Sequence, residues 1–474
     1  MRARPTARGS VFVRTRDFVD FFAASSPARF AILIFTGLVL VLTAVLSLPI
    51  ATIDRTATPL ADAFFTAMSS ICVTGLATVD MATHWSTFGT IAILVGLEVG
   101  GIGVLTLASM LGLIVSRRLG LKAKLLAASD SNPLRLHAGP VAESQAIRLG
   151  EIGGLLATVA ISVLAIEAFI TLLIAPRLMI AGADPWAATW QGFYFATSAF
   201  TNTGFMPTPE GLEPFTADPW MLSAISLAVI LGSLGFPVIF ALARHWRSPR
   251  HWSLHVKLTL VTTGILILAG ALVIYALEWN NSATIGAQDP VVRPMTATFL
   301  SIMTRSGGFS TVDIGQMQDS SLLVMDMLMF VGGGSASTAS GIKVTTLAVL
   351  FLAAFAEARG DSDIQVFSRR IPPDVLRLSV SVVLWGATIV AVATIALLQT
   401  TNAPLDKVLF DVISAFGTCG LSTGVTESVP DPGKYILAAT MWAGRVGTVT
   451  LAAALAASQR RQLFMRAEER PIVG

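Results

Sequence analysis

Four short segments with a shared glycine pattern constrain the fold of this 474-residue chain more strongly than any other feature. Each segment ends in a glycine followed by Leu or Phe, and a serine stands six residues before the glycine in all but the third. The segments are 69–76 (SSICVTGL), 198–205 (SAFTNTGF), 302–309 (IMTRSGGF) and 414–421 (SAFGTCGL). Self-similarity of this kind indicates a chain assembled from repeated supersecondary units.

The sequence around each glycine repeats as well. An apolar run of about ten residues precedes each motif, at 61–70, 190–200, 294–304 and 406–416, and a longer apolar stretch lies on either side. A helix needs ~20 apolar residues to cross a bilayer core of ~30 Å, so these runs are too short to cross. We therefore predict four units, each consisting of a span, a re-entrant half-helix, a glycine loop and a second span.

The composition agrees with a lipid environment. Charged residues make up 13% of the chain and hydrophobic residues 54%, whereas soluble domains carry roughly 25% charged residues. Segments 30–53, 219–243, 258–277 and 378–405 contain no charged residue. The predicted fold is an all-α integral membrane protein with eight transmembrane helices and four re-entrant pore helices around a pseudo-fourfold pore.

The placement of charge predicts the orientation. Lys and Arg cluster at both ends of the chain and in one set of loops, at 117–148, 244–257 and 359–377, whereas the alternate loops are mainly acidic. The positive-inside rule then places both termini in the cytoplasm, which requires an even number of crossings. The predicted divisions are a cytosolic tail at 1–27, repeats at 28–117, 118–245, 246–358 and 359–459, and a C-terminal tail at 460–474.

Four non-helical loops at membrane depth favour a pore. Backbone with unpaired amides survives in a bilayer only inside protein or beside water. A ring of peptide oxygens can replace the hydration shell of a cation, and glycine reaches the positive φ angles that turn carbonyls toward such an axis. The alternative is that these glycines are packing or turn residues. The predicted selectivity-filter residues are Val73, Thr74, Gly75, Asn202, Thr203, Gly204, Ser306, Gly307, Gly308, Thr418, Cys419 and Gly420.

The second span of the third unit is interrupted at 332–343, where small residues of low helix propensity replace the apolar run. We interpret this segment as a flexible gate beneath the filter. Arg445, an intramembrane arginine, is predicted to act with it as an electrostatic barrier, the alternative being a snorkelling or structural arginine. Lys343 faces either the pore or the cytoplasmic edge. The predicted gate residues are Gly332, Gly333, Gly334, Ser335, Ser337, Thr338, Gly341, Lys343 and Arg445.

Three carboxyl side chains also lie in apolar stretches, namely Glu98, Glu167 and Asp326. Each is either an ion or proton site or a structural group that forms hydrogen bonds between helices. The sequence leaves both alternatives open.

The four motifs resemble the pore loops of the Trk/Ktr/HKT superfamily of cation transporters. Residues 73–76, 198–205, 304–313 and 414–424 carry the resemblance, which extends over roughly residues 28–474 and points to the membrane subunit of a Ktr-type potassium-uptake system. It implies four M1-P-M2 units around a pseudo-fourfold axis, with a glycine in each loop that governs the preference for K⁺. In some plant relatives serine replaces the first glycine and the proteins carry mainly Na⁺, whereas this chain has Gly75.

The resemblance also implies a setting and partners. K⁺ is the implied transported ion and Na⁺ an activating or coupled ion, and this chain itself holds no cofactor. The implied assembly is a homodimer on a cytosolic ring of nucleotide-binding (ATP/ADP) regulatory subunits, with residues 468–474 near the dimer interface. The implied location is the bacterial plasma (inner) membrane, where the spans contact membrane lipids.

Other function classes are less consistent with the sequence. The net charge of +3 is not a nucleic-acid signal, and no GxxxxGK[ST] phosphate-binding motif is present. Residues 333–336 superficially resemble the serine motif of intramembrane proteases, but those enzymes need a histidine base in the membrane, and the five histidines lie in predicted loops or at span edges. We therefore expect a transporter rather than an enzyme. Within transport, Na⁺ or poorly selective cation flux is the alternative, and a channel and a Na⁺- or H⁺-coupled symporter both stay open.

Overall fold

The computed structural model describes residues 27–115 and 149–447, and it describes side chains at 32–103 and 158–447. The predicted N-terminal tail apart from residue 27, the C-terminal tail at 460–474 and the basic loop up to residue 148 lie outside the described residues. Within them the chain is almost entirely helical. The helices are α1 (Pro27–Leu46), α2 (Leu60–Cys72), α3 (Thr87–Val115), α4 (Leu149–Ile180), α5 (Pro185–Phe200), α6 (Pro219–Leu234), α7 (Phe236–His245), α8 (Leu254–Glu278), α9 (Arg293–Met303), α10 (Asp319–Phe330), α11 (Val344–Arg359), α12 (Pro373–Leu398), α13 (Leu405–Gly417), α14 (Val425–Ser428) and α15 (Asp431–Trp442).

Two short strands interrupt this helical pattern. Strands β1 (Gln365–Val366) and β2 (Arg369–Arg370) pair antiparallel between α11 and α12. Their residues are mostly exposed, so the hairpin contributes little to the core.

Each of the four half-length apolar runs lies in a short helix. Helices α2, α5, α9 and α13 contain 13, 16, 11 and 13 residues. Local signals set their first turns: the Asp184 carboxylate accepts a hydrogen bond from the Trp186 amide at 3.1 Å, and Pro404 directly precedes α13. Each short helix ends just before its glycine loop, so its partly negative C-terminal end faces that loop.

The lengths of the other helices differ from the simple expectation of eight uninterrupted spans. By length and composition, three helices of the described residues can span a membrane: Thr158–Ile180, Leu254–Glu278 and Pro373–Leu398. A fourth span results if α6 and α7, which meet at a bend of 104°, are taken together. Helix α1 has 20 residues, and the helices that follow the glycine motifs are interrupted or irregular at the points described next.

Three of the four segments that follow a glycine motif contain a helix break, and the fourth continues into a π-helical turn, whereas only the break in the third was predicted from the sequence. Gly103 is non-helical within α3 (φ 101°, ψ 123°), and Gly235 separates α6 from α7 (φ 86°). Residues 331–343 separate α10 from α11, and a π-helical turn (Ala443–Gly447) follows α15. A sequence signal for these breaks exists: Gly100, Gly232, Gly332 and Gly444 follow the four motif glycines by 25, 28, 24 and 24 residues.

Helix packing runs once around the molecule. Three of the short helices, α2, α5 and α13, pack between the helix before and the helix after them, and α9 packs on α8. Every short helix also contacts a helix of another predicted unit: α5 contacts α3, α9 contacts α6 and α13 contacts α10, each earlier in the chain, whereas α2 contacts α15 near the end of the described chain. These contacts link the first and last parts of the described chain and close a ring.

Glycines allow the broken helices to approach the ends of the short helices. A Cβ placed on Gly100, Gly232 or Gly444 would lie within 3.0 Å of the carbonyl oxygen of Ile71, Phe200 or Phe416, respectively. Those carbonyls belong to the last turns of α2, α5 and α13. Between helices in lipid, close backbone approach at small residues is a main source of association, because lipid solvates apolar side chains as well as protein does.

We expect Gly232→Ala to destabilise the protein by about 1–3 kcal/mol, the usual range for an overpacked site. Gly264→Ala, in the middle of α8, is the matched control because nothing lies within 4 Å of its added Cβ. The control should be neutral or slightly stabilising, since alanine favours helix more than glycine by about 1 kcal/mol. Thermal unfolding of both purified variants in detergent measures the difference. Equal unfolding temperatures would contradict the proposed close contact.

Candidate cation-binding site

The four motif glycines meet in space, and each lies against a carbonyl group from a neighbouring loop. We call residues 73–76, 202–205, 306–309 and 418–421 loops 1 to 4. The contacts pair the Thr203 oxygen with Gly75, the Gly307 oxygen with Gly204, the Cys419 oxygen with Gly308, and the Thr74 oxygen with Gly420. A Cβ on any of these glycines would lie within 3.0 Å of its paired oxygen. The four contacts pass from loop to loop and close a ring in which only glycine fits.

The backbone of every loop is left-handed at two positions. The first is the motif glycine, with φ between 76° and 95°. The second lies two residues earlier, at Val73 (φ 57°), Asn202 (63°), Ser306 (73°) and Thr418 (44°). This conformation is rare outside glycine, above all for β-branched side chains, and costs on the order of 1–3 kcal/mol per residue. Four repetitions of the same strained geometry indicate that the surrounding protein imposes it.

The serine six residues before the glycine now has a structural explanation. The Ser69 hydroxyl accepts a hydrogen bond from the Gly75 amide, and the Ser414 hydroxyl accepts one from the Gly420 amide, both at 3.1 Å. The Ser198 hydroxyl instead donates to the Phe205 carbonyl at 2.8 Å. These bonds tie three loops back to their short helices and satisfy backbone groups that would otherwise be unpaired in the membrane.

Several predicted filter side chains bond to protein rather than facing the ring. The Ser306 hydroxyl donates to the Thr418 carbonyl at 2.6 Å, and the Thr203 hydroxyl pairs with the Thr201 hydroxyl at 2.8 Å. The Cys419 thiol donates to the Met303 carbonyl at 3.3 Å. Within the described part of the chain, the buried hydroxyls of Thr74 and Thr418 have no hydrogen-bond partner. Peptide oxygens, supplemented at most by a few hydroxyls, are therefore the main ligands available here.

The electrostatics of the ring suit a cation. The C-terminal ends of α2, α5, α9 and α13 all adjoin it, and each helix end carries a partial negative charge. Carbonyl oxygens are hard ligands that bind alkali and alkaline-earth cations rather than soft metals. The arrangement can coordinate a partly dehydrated cation through neutral oxygens.

Arg305, directly before loop 3, was not predicted as a site residue. Its side chain is buried, and its Nη2 atom donates to the Gly332 carbonyl at 2.8 Å. Its Nε and Nη1 atoms have no partner among the described residues. The position of Arg305 within a glycine motif, in a run otherwise without charge, is the signal that could have identified it.

The 332–343 segment crosses beneath the loops as an ordered stretch with many backbone hydrogen bonds. Its ends are joined by a parallel bridge between Val331 and Ile342. Bonds within the segment and to α11 include those from Ser337 Oγ to the Gly334 carbonyl (2.6 Å), from the Val344 amide to the Gly333 carbonyl (3.1 Å), and between Ser335 and Thr345 (3.2 Å). Gly341 supplies a left-handed turn (φ 68°).

The same segment lies against the break between α6 and α7. The Gly334 amide donates to the Ser233 carbonyl at 2.7 Å, and the Phe236 amide donates to the Ala336 carbonyl at 3.3 Å. The two interrupted helices therefore supply each other's missing backbone partners. Mutual pairing of this kind is what allows irregular backbone at membrane depth.

Arg445, in the π-helical turn, joins the 332–343 segment to α3. Its Nη1 atom donates to the Thr338 carbonyl and, at 2.8 Å, to the Ser340 hydroxyl, while Nη2 donates to the Gly100 carbonyl at 2.6 Å. Lys343 turns back onto the segment, where its Nζ atom donates to the Ala339 carbonyl at 2.7 Å. Arg445 thus contacts the predicted gate directly, and Lys343 forms a hydrogen bond inside the same segment.

Asp411, in α13, is a second charged residue that the sequence analysis missed. It is fully buried and accepts hydrogen bonds from the amides of Thr423 (2.9 Å) and Thr426 (2.8 Å). The hydroxyls of the same two residues and of Ser422 also donate to it. The signal for it was a single acidic residue in the middle of an apolar half-helix. Its role is to hold the chain that leaves loop 4.

The three carboxyl groups left open by the sequence differ in their surroundings. The Thr197 hydroxyl of α5 donates to Glu167 of α4 at 3.4 Å. This bond agrees with the alternative of a structural group that forms hydrogen bonds between helices. Asp326 is buried, and its Oδ1 atom has no partner within the described residues.

We expect Asp411→Asn to destabilise the protein by about 1.5–3 kcal/mol, because the amide group replaces an acceptor oxygen with a donor that faces other donors. Asp406→Asn, in the first turn of the same helix, is the matched control and removes only a favourable helix-end charge, worth about 0.3–1 kcal/mol. Thermal unfolding in detergent compares the two. A smaller loss for Asp411→Asn than for the control would contradict the assigned role.

Comparison with known proteins places this architecture among cation transporters. Residues 20–462 match the TrkH family, described as cation transport proteins. The chain is 35% identical to the Ktr system potassium uptake protein D of Bacillus subtilis, over 96% of this chain and 99% of that protein. It is 33% identical to the Ktr system potassium uptake protein B of Vibrio alginolyticus (92% of each) and 28% identical to the potassium/sodium uptake protein NtpJ of Enterococcus hirae (88% and 90%). The fold resembles the crystal structure of the potassium transporter TrkH from Vibrio parahaemolyticus, with a TM-score of 0.67, 18% identity and coverage of 95% of this chain and 86% of that one.

Proposed function

The chain belongs to the TrkH family of cation transport proteins, as its glycine motifs predict, and we propose that it takes up K⁺ across the plasma membrane through the ring formed by loops 1 to 4. The observation that carries this proposal is the cyclic contact of each motif glycine with the carbonyl oxygen of a neighbouring loop. A dehydrating cation needs several converging oxygens, and this ring is where four separate loops offer them.

In this proposal the chain comprises four M1-P-M2 units around the ring, divided as the sequence predicts, with both termini in the cytoplasm of a bacterial cell. The closed sequence of contacts between each short helix and a helix of an adjacent unit supports a cyclic arrangement. The recurring helix breaks give each unit an irregular stretch on the same side of its glycine loop. The four units thus differ in detail but share one plan.

Gating in this proposal belongs to the 332–343 segment and Arg445. The segment contacts the α6–α7 break directly, and Arg445 links it to α3. A guanidinium beside a cation path raises the electrostatic barrier to passage. Movement of the segment would require these hydrogen bonds to break, so the bonded arrangement corresponds to the closed state.

Regulation and coupling complete the proposal. Two of the similar proteins are named as parts of a Ktr system, which supports a further subunit for this chain. We assign that role to a cytosolic nucleotide-binding ring beneath a homodimer, with Na⁺ as an activating or coupled ion. Growth rescue of K⁺-uptake-deficient cells with and without the subunit, and with and without Na⁺, tests both assignments. Rescue that is equal in all four conditions would contradict them.

A second candidate function is uptake of Na⁺ or poorly selective cation flux. It is favoured by the 28% identity to a protein named for potassium and sodium uptake. The four intact glycines favour K⁺ instead. Fluxes of K⁺, Rb⁺, Na⁺ and Li⁺ into proteoliposomes separate the two candidates, because a K⁺ transporter ranks K⁺ and Rb⁺ first and an unselective one carries all four.

We expect Gly75→Ser to weaken the preference for K⁺ over Na⁺ by roughly tenfold or more, corresponding to about 1.4 kcal/mol or more. The added side chain meets the Thr203 carbonyl and enforces an unfavourable backbone at φ 89°. Gly424→Ser is the control, because Gly424 also has φ 89° but has nothing within 4 Å of an added Cβ. The ratio of K⁺ flux to Na⁺ flux is measured in proteoliposomes. An ion ranking shared by both variants and the unsubstituted protein would contradict the assignment of the ring.

We expect Arg445→Gln to increase cation leak in the closed state, since it removes both the charge and the hydrogen bonds to the 332–343 segment. Arg445→Lys should leak less than Arg445→Gln because it keeps the charge. Arg293→Gln, which removes hydrogen bonds to the carbonyls of Gly286 and Gln288 away from the segment, is the control. Cation flux is measured in the absence of the proposed regulatory subunit. Unchanged leak in Arg445→Gln would contradict the barrier.

A further inference from the structure

The 332–343 segment is bonded to the filter loops as well as to the helices around it. The Thr338 hydroxyl donates to the Asn202 side-chain oxygen at 3.1 Å and lies 3.2 Å from the Phe200 carbonyl. On the other side, Arg305 donates to the Gly332 carbonyl at 2.8 Å. Asn202 of loop 2 and Arg305, directly before loop 3, therefore hold the segment through their side chains.

The Thr338 contact acts on a strained and central part of the ring. Asn202 is left-handed (φ 63°), and the next residue, Thr203, supplies the carbonyl oxygen that contacts three of the four motif glycines. The Asn202 amide nitrogen has no partner within the described residues, so Thr338 is the one described side chain that bonds this amide group. Loss of the Thr338 hydroxyl would free the side chain that orients the Thr203 peptide.

The Arg305 contact likewise links the 332–343 segment to loop 3. Gly332 provides the acceptor for this buried guanidinium, whose other two donor atoms are unpaired within the described residues. A buried charged donor without its acceptor is strongly unfavourable, so displacement of Gly332 would draw Arg305 with it or destabilise loop 3. Ser306, the next residue, bonds to the Thr418 carbonyl and passes that displacement to loop 4.

We propose that Thr338, supported by Arg305, is a positioning residue that couples the 332–343 segment to the ring, so that movement of the segment and the ion preference of the ring change together. The inference rests on the proposed function, because it takes the 332–343 segment as the gate and the ring of loops 1 to 4 as the filter. It treats the two as one hydrogen-bonded unit. A purely structural brace would affect stability or total flux and leave the ion ranking unchanged. The coupling is reciprocal: an ion that fits the ring must also bias the segment.

The first test is the K⁺-to-Na⁺ flux ratio of full-length protein in proteoliposomes. Thr338→Val removes the hydroxyl with little change in volume and should alter the ratio by roughly two- to thirtyfold, the range typical of residues that carry coupling. Thr338→Ser keeps the hydroxyl and should retain the ratio. Thr345→Val is the control, since its hydroxyl bonds to Ser335 and not to a loop. A ratio unchanged in Thr338→Val, or shifted equally in Thr345→Val, overturns the coupling.

The second test begins with a variant that keeps Thr338. Ala336 is exposed, whereas the natural thiols of Cys72 and Cys419 are buried, so Ala336→Cys reports on the segment. We expect its rate of thiol modification to differ between K⁺ and Na⁺, and the difference to disappear when Thr338→Val is added. Equal rates in both ions overturn the coupling even if the double variant does not fold.

Different results contradict the coupling and the proposed function. Selective cation flux in the unsubstituted protein, with a ratio unaffected by Thr338→Val, removes the coupling and leaves the proposed function intact. Absence of cation flux in the unsubstituted protein removes the proposed function and the coupling together.

Discussion

The structure depends on one constraint: peptide groups that leave a helix inside a membrane must find partners, because lipid offers none. Four glycine loops meet this requirement together. Each places the carbonyl that precedes its glycine against a neighbouring loop, and in two of them a serine hydroxyl on the short helix accepts a hydrogen bond from the glycine amide. The four carbonyl oxygens of these contacts lie where the loops meet. A cation that gives up part of its hydration shell is the natural partner for such a group of oxygens.

The same constraint explains the architecture below the loops. Three helices break after the glycine motifs and a fourth continues into a π-helical turn, and a break removes helical partners from backbone groups. The 332–343 segment satisfies those of the α6–α7 break, and Arg445 bonds backbone carbonyls of both the segment and α3. The breaks are therefore cross-linked rather than independent. A rearrangement of one must disturb the others, which is the behaviour expected of a gate.

The sequence predicted the features that follow from length and spacing. Ten-residue apolar runs beside glycine motifs predicted short helices, and the 332–343 run of small residues predicted a break. The breaks at Gly103 and Gly235 were missed, because one glycine in an apolar run is also common in unbroken membrane helices. Arg305 and Asp411 were missed for another reason: their partners, Gly332 and the 422–426 segment, are recognised only once the chain is folded. The side chains of Asn202 and Ser306 likewise bond to Thr338 and to the Thr418 carbonyl, partners that spacing alone does not give.

The most direct test of the central claim is to locate the ion. Crystals of the full chain exchanged into Rb⁺ or Tl⁺ would give anomalous scattering that marks bound cations without reference to any functional assay. The account predicts a peak surrounded by the carbonyl oxygens of loops 1 to 4, at the level of the Thr74, Thr203, Gly307 and Cys419 peptides. Cation peaks found only elsewhere, with none among those oxygens, would contradict it.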